Sequence, residues 1–250
     1  MSCASGGILI VNNRNEKTEG TSLGATCWRI GYYLVGLVLL AIGLTLNTKT
    51  GLGVSPIIAV PFSISNIWNL NFALMTFCLY TLFVFLQMLL DGKERRWSTL
   101  LQVPFSLVFS VLLDWFGRLP IALCALWQNL LLLLAAMVLT AVGVTLMVNM
   151  RLVPNPADGM ADALGKRLNR GMGFGKNLLD LTCVAVTCVI SLACGGRITA
   201  IGLGTLIAMV CVGRLIAFCQ QLFQKPMLRR AGLLEVRADG EEQGQESQYG

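Results

Sequence analysis

"GLTLNTKTGLGVSP" (residues 43–56) and "GVTLMVNMRLVPNP" (residues 143–156) lie one hundred residues apart and align without a gap. They match at Gly43/Gly143, Thr45/Thr145, Leu46/Leu146, Leu52/Leu152 and Pro56/Pro156. Five identities in fourteen positions, a proline among them, exceed what shared apolar composition would supply. Further on, "RRWSTLLQVPF" and "GRITAIGLGTL" occupy corresponding places, each with a basic residue opening the third span of its half. The chain therefore reads as a duplicated unit.

The unit is a membrane unit. Of 250 residues, 55% are hydrophobic and 13% charged, with a mean hydropathy of +0.70. A soluble domain carries roughly twice that charged fraction. Six apolar runs, at about 30–47, 71–90, 98–116, 124–148, 177–194 and 198–220, each approach the ~20 residues that cross the hydrocarbon as a helix. Trp28, Trp68, Trp97, Trp115 and Trp127 all fall near run ends, where an indole sits half in the headgroup layer. A secretory leader is not expected, because residues 1–28 are polar and Ile8-Leu9-Ile10-Val11 is too short for its apolar region.

Three crossings per unit is an odd number, so the second copy must insert upside down. The expected fold is all-α and integral to the membrane. It has six transmembrane helices in two inverted-topology three-helix repeats, each with a short helix after its first span. The expected divisions are a tail (1–28), repeat 1 (29–120), repeat 2 (121–222) and a disordered tail (223–250) ending "GEEQGQESQYG".

Basic residues set the orientation. One set of segments holds Arg14, Lys17, Arg29, Lys93, Arg95, Arg96, Arg151, Lys166, Arg167, Arg170, Lys176, Lys225, Arg229, Arg230 and Arg237. The other holds Lys49, Arg118 and Arg197, and Arg214 lies inside the last run. Fifteen against three places both termini in the cytoplasm. The net charge of +6 is thus a membrane signal, and no nucleic-acid partner is implied.

Ser55-Pro56 and Asn155-Pro156 each read as a helix cap followed by proline at the first helical position. There a side-chain oxygen takes an orphan N–H, and proline has none to strand. Asp158 follows at the third helical position, where a carboxylate suits the positive helix end. Short helices are expected over about 56–66 and 156–168, too short to cross. Pro61 should shorten or kink the first. Asn155-Pro156-Ala157 spells the water-channel tripeptide, but it follows the first span of its half and its counterpart reads Ser-Pro-Ile. The water-channel reading fails. Two placements stay open. The helices lie along the surfaces or plug the interface between the halves, with Asp158, Asp162 and Lys166 as a polar stripe. Alternatively they dip inward and line a substrate path.

Asp114, Asp180 and Arg214 are the charges that remain within runs. Asp180 and Arg214 are both near the cytoplasmic side, so they could pair, or each could reach for the headgroups. Gly202-Leu203-Gly204 should let helices approach closely. The nine cysteines form no CxxC pair and histidine is absent, so no metal site is expected. Nothing resembles a nucleotide loop or a nucleophile with its base. No catalytic residue, cofactor or enzyme activity is expected.

"LGVSPIIAVP" (52–61), "PNPADGMADALGKRLN" (154–169) and "GLGT" (202–205) resemble the YczE/YyaS/YitT-type bacterial membrane proteins, closest to the YczE branch. The resemblance covers about residues 30–220 and implies a six-span protein of the bacterial inner membrane with uncharacterised activity. That branch usually carries an acid shortly after the first proline, where this chain has Ile57 and Ile58. The departure speaks against a polar site on the first short helix. The expected function is transporter- or permease-like, with the lipid bilayer as surroundings and a small molecule or ion as substrate. Its pathway would hold Ser55, Pro56, Asn155, Pro156, Asp158, Asp162, Asp180 and Arg214. The alternative is a non-transporting membrane scaffold or regulatory partner of another protein. Polar pairing between the halves would favour the first, a closed apolar interface the second.

Overall fold

The computed structural model describes residues 23–92, 97–121, 125–231 and 233. Its elements are α1 (Leu23–Lys49), α2 (Pro56–Trp68), α3 (Phe72–Asp91), α4 (Gln102–Gly117, after a 3₁₀ turn at Trp97–Leu101), α5 (Leu126–Asn149), α6 (Pro156–Arg167), α7 (Met172–Ile190, continued by a π turn at Ser191–Gly195) and α8 (Leu203–Arg230). Among the described residues, six stretches are long and apolar enough to cross a membrane: Gly24–Lys49, Phe72–Asp91, Thr99–Gly117, Leu126–Asn149, Met172–Gly195 and Leu203–Gln224. The order span, short helix, span, span occurs twice.

Where the two halves meet, α1 crosses α5, the most extensive helix pairing among the described residues. A β-carbon on Gly36 would meet the Gly143 carbonyl oxygen at 2.8 Å, and one on Gly143 would meet Leu40 N at 2.7 Å. One on Gly43 would meet Thr140 N at 2.7 Å and Ala136 O at 2.9 Å. These contacts exchange under the offset of one hundred: 36 with 143 and 43 with 136, 40 with 143 and 43 with 140. The partner number falls as the residue number rises, so the two helices run antiparallel. Hydrogen bonds sort the ends the same way. Arg29 Nη2 donates to Met150 O (3.2 Å), Tyr33 Oη to Val153 O (2.9 Å) and Arg230 Nη1 to Tyr32 Oη (3.4 Å). At the opposite end, Lys49 Nζ donates to Gly117 O (2.8 Å).

Each short helix is wedged against the other half. α2 packs on α7, and α6 on α3, besides the contacts α2 makes with α3 and α6 with α7. Pro56, Ile57, Ile58, Ala59, Val60 and Pro61 are all buried, so α2 does not lie along a surface. Pro61 does not end it, and the helix continues to Trp68. The halves differ in one packing. α4 lies against α3, whereas α8 scarcely touches α7 and packs on α5 instead. Close approach at Gly202 and Gly204 is to a loop rather than to a helix. Gly204 N donates to Leu52 O (2.7 Å) and Val54 N to Ala200 O (2.9 Å).

The expected tail boundaries shift. α1 begins at Leu23, and α8 continues past 223 to Arg230, carried by buried Met227 and Leu228. Residues 1–22 and 234–250, including most of both expected tails, lie outside the described residues, as do Cys3 and Cys124.

Candidate functional site

α2 rises alongside α7. Ser55 and Pro56, at its start, share a cavity with Asp180, and farther on Ser63 Oγ stands 2.7 Å from Ser191 Oγ. Its last turns, with Ser65 and Asn66, reach the level of Lys49 and Arg118 at the ends of α1 and α4. The N-terminal end of α2 is therefore its deep end. α6 repeats this with α3. Asn155 and Asp158 stand beside Tyr80 in the interior, while Lys166 and Arg167 at the other end are exposed. Positions 80 and 180 are equivalent under the offset, as are 55 and 155.

The two deep ends meet in one polar cluster. Asp180 is buried on α7, with Lys176 Nζ 3.8 Å from its Oδ2, while its Oδ1 has no hydrogen-bond partner. Asp158 acts electrostatically on both Asp180 and Tyr80. Part of the Asp158 surface stays accessible, but protein surrounds it. That burial pushes its carboxyl above the ordinary range, and the charge of Lys176 opposes the rise. Beside Asp158, a β-carbon on Gly159 would meet Gln87 Oε1 at 2.6 Å and Gln102 Nε2 at 3.0 Å. Gln87 Oε1, Gln102 Oε1 and Asn155 Oδ1 are buried without partners. Buried acceptors left unmet cost roughly 1–3 kcal/mol each, so such a group is retained where water or a ligand meets it.

A cavity of about 260 Å³ opens where α7 and α8 part. Ser55 and Pro56 form one wall, Gly173, Lys176, Asn177 and Asp180 a second, and Ala208, Met209, Val212 and Gly213 a third. A crevice of about 320 Å³ lies at the far ends of α1 and α4 beside Asp114. That carboxylate is fully engaged, taking bonds from Arg118 (2.5 Å) and Asn71 (2.9 Å), and it stands near the surface. The free, buried oxygen of Asp180 makes the α7/α8 cavity the stronger candidate.

The expected site residues divide accordingly. Ser55, Pro56 and Asp180 share the cavity, and Asn155, Pro156 and Asp158 form the second deep end against Tyr80. Asp162 is drawn away by an ion pair with exposed Lys166. Arg214 is exposed, and the ion partner of Asp180 is Lys176, one turn back on the same helix. The expected side-chain caps are not made: neither Ser55 nor Asn155 accepts from its helix. Instead Ser55 N donates to Asn47 Oδ1 (2.7 Å), which fixes the descending loop to the end of α1. Lys176, Tyr80, Gln87 and Gln102 were not among the expected site residues, although for the last three a polar side chain inside an apolar run was the visible signal. Among the described residues no group of three acidic or cysteine side chains could hold a metal.

One family model, described as a family of unknown function (DUF6198), matches residues 27–221, well over half of the chain. No curated protein and no solved structure matches.

Proposed function

This chain belongs to that family of unknown function, DUF6198, and we propose that it works as a small secondary transporter built from two inverted repeats. The antiparallel crossing of α1 and α5, with contacts that exchange under the offset, supports the inversion. The YczE branch remains our closer placement, because its three resembling stretches supply the descending loop, the deep end of α6 and the backbone N–H that donates to Leu52 O. We place the chain in a bacterial inner membrane with Arg29, Arg151 and Arg230 toward the cytoplasm, as the charge count implies. Cysteines replacing Lys49 and Lys93 should then label from opposite faces, the former from outside.

The observation that carries the reading is the convergence of two buried helix starts on Asp158, Lys176 and Asp180. Ionisable groups in a membrane protein interior are costly and are kept mainly along ion or substrate paths. Broken helices that enter the bilayer are tolerated only where protein or a wet cavity surrounds their ends. Rocking of the halves about the α1/α5 crossing would close the α7/α8 cleft and part α3 from α4, exposing the cluster to the other side.

The test is accessibility. In a cysteine-free background, Ser55→Cys should react with an impermeant maleimide in right-side-out vesicles and also in inside-out vesicles. Reaction from one face only, or from neither, would favour the static scaffold and overturn the transport reading.

A further inference from the structure

The α7/α8 cavity presents one unmet acceptor and, on a separate wall, Ser55 and Pro56 at the uncapped start of α2. The acceptor is Asp180 Oδ1, on a residue 5% exposed whose other oxygen faces Lys176. The uncapped N–H groups of α2 come directly after the lining residues Ser55 and Pro56. Pro56 has no N–H, and Ala59 N already donates to Ser55 O (2.9 Å). The N–H groups of Ile57 and Ile58 are left with no side-chain cap and no acidic residue in their turn. That helix end carries roughly half a positive charge that nothing on α2 offsets.

We propose that this cavity binds a small zwitterion of the amino-acid type. Its ammonium group would lie on Asp180 Oδ1, and its carboxylate between the start of α2 and Lys176. The proposal rests on the transport reading and names the substrate class of that site. Charge decides between the classes. A simple cation would meet Asp180 but leave the start of α2 without a counter-charge, and a simple anion would face Asp180 with Asp158 behind it. A zwitterion gives each charged wall its counterpart and leaves the net charge unchanged. Size narrows the class further, because about 260 Å³ is below the range of drug-sized sites.

The experiment is thermal unfolding of the purified full-length protein in detergent with glycine, methylammonium or acetate. Glycine should raise the melting temperature saturably, by about 5 °C or more near 100-fold over its Kd. Methylammonium or acetate at the same concentration should not. Asp180→Asn should abolish the glycine shift. Gly213→Leu is the control for folding, since a β-carbon there meets nothing within 4 Å. It should keep the unliganded melting point and lose the shift. An equal response to methylammonium would make this a cation site, and one to acetate an anion site; either overturns the proposal. So does no response to glycine. The transport reading would survive that last result if Ser55→Cys still labels from both faces.

Discussion

The first turn of α2 and the first turn of α6 occupy equivalent places in the two halves, and each is driven into the opposite half. They end differently. α6 carries its own acid, Asp158, and is closed in by Tyr80, Gln87 and Gln102. α2 has only isoleucine there, and opens on a cavity whose charges, Lys176 and Asp180, belong to α7. The difference follows from the neighbouring spans, because α4 closes on α3 whereas α8 stands off α7. Contacts at the α1/α5 crossing exchange under the offset of one hundred, while side chains and the last span of each half leave the start of α6 largely enclosed and the start of α2 open on a cavity.

The symmetric part should be the most sensitive. At Gly143 a β-carbon would press on backbone of α1, which cannot rotate away. Gly143→Leu should cost about 3 kcal/mol or more, read as loss of the monodisperse peak on size exclusion. The same change at Gly213, beside the open end, should leave that peak intact.

Next comes the charge pair at the open end. Lys176→Met leaves the buried Asp180 carboxylate without its cation and should cost about 2 kcal/mol, discounted because Lys176 is partly exposed. Adding Asp180→Asn should recover most of that loss in a double-mutant cycle. Additive losses would mean that the two side chains do not interact.

How far the sequence reached can be judged from these residues. Hydropathy located all six spans, and proline located both short helices to within two residues of Trp68 and Arg167. The partner of Asp180 was not legible for a physical reason. Starting the fifth span at 177 left Lys176 in a loop, yet α7 starts at Met172 and holds Lys176 and Asp180 one turn apart. Residue types at 55 and 155 predicted caps, but the descending loops direct those side chains elsewhere, which no local pattern encodes. The separation of α8 from α7 is a long-range packing result with no sequence signature.

Smaller effects sharpen the contrast. Gly159→Ala should cost about 1 kcal/mol, because its new carbon displaces the Gln87 and Gln102 amides, which are flexible ends. The equivalent residue at the open end is already Ala59. Asp158 offers a pH readout. A carboxyl whose value is raised on folding stabilises the fold fully below its ordinary 3.8, and that contribution is lost as pH rises through the raised value. Melting curves from about pH 4 to about pH 7 should therefore show Asp158→Asn gaining on the parent as pH rises. Smallest of all, Ser55→Ala should change stability by less than about 0.5 kcal/mol, below a working cap, since that side chain does not cap its helix.

The central claim is that each short helix crosses into the other half, and its most direct measurement is a cross-link. Ser63 on α2 and Ser191 at the end of α7 place their Oγ atoms 2.7 Å apart. With the native cysteines removed, Ser63→Cys and Ser191→Cys together should form a disulfide under mild oxidation in membranes. It would be seen as a reducible mobility shift that neither single change gives. A pair that stays reduced, in protein that folds and inserts, would contradict the crossed packing on which the site is built.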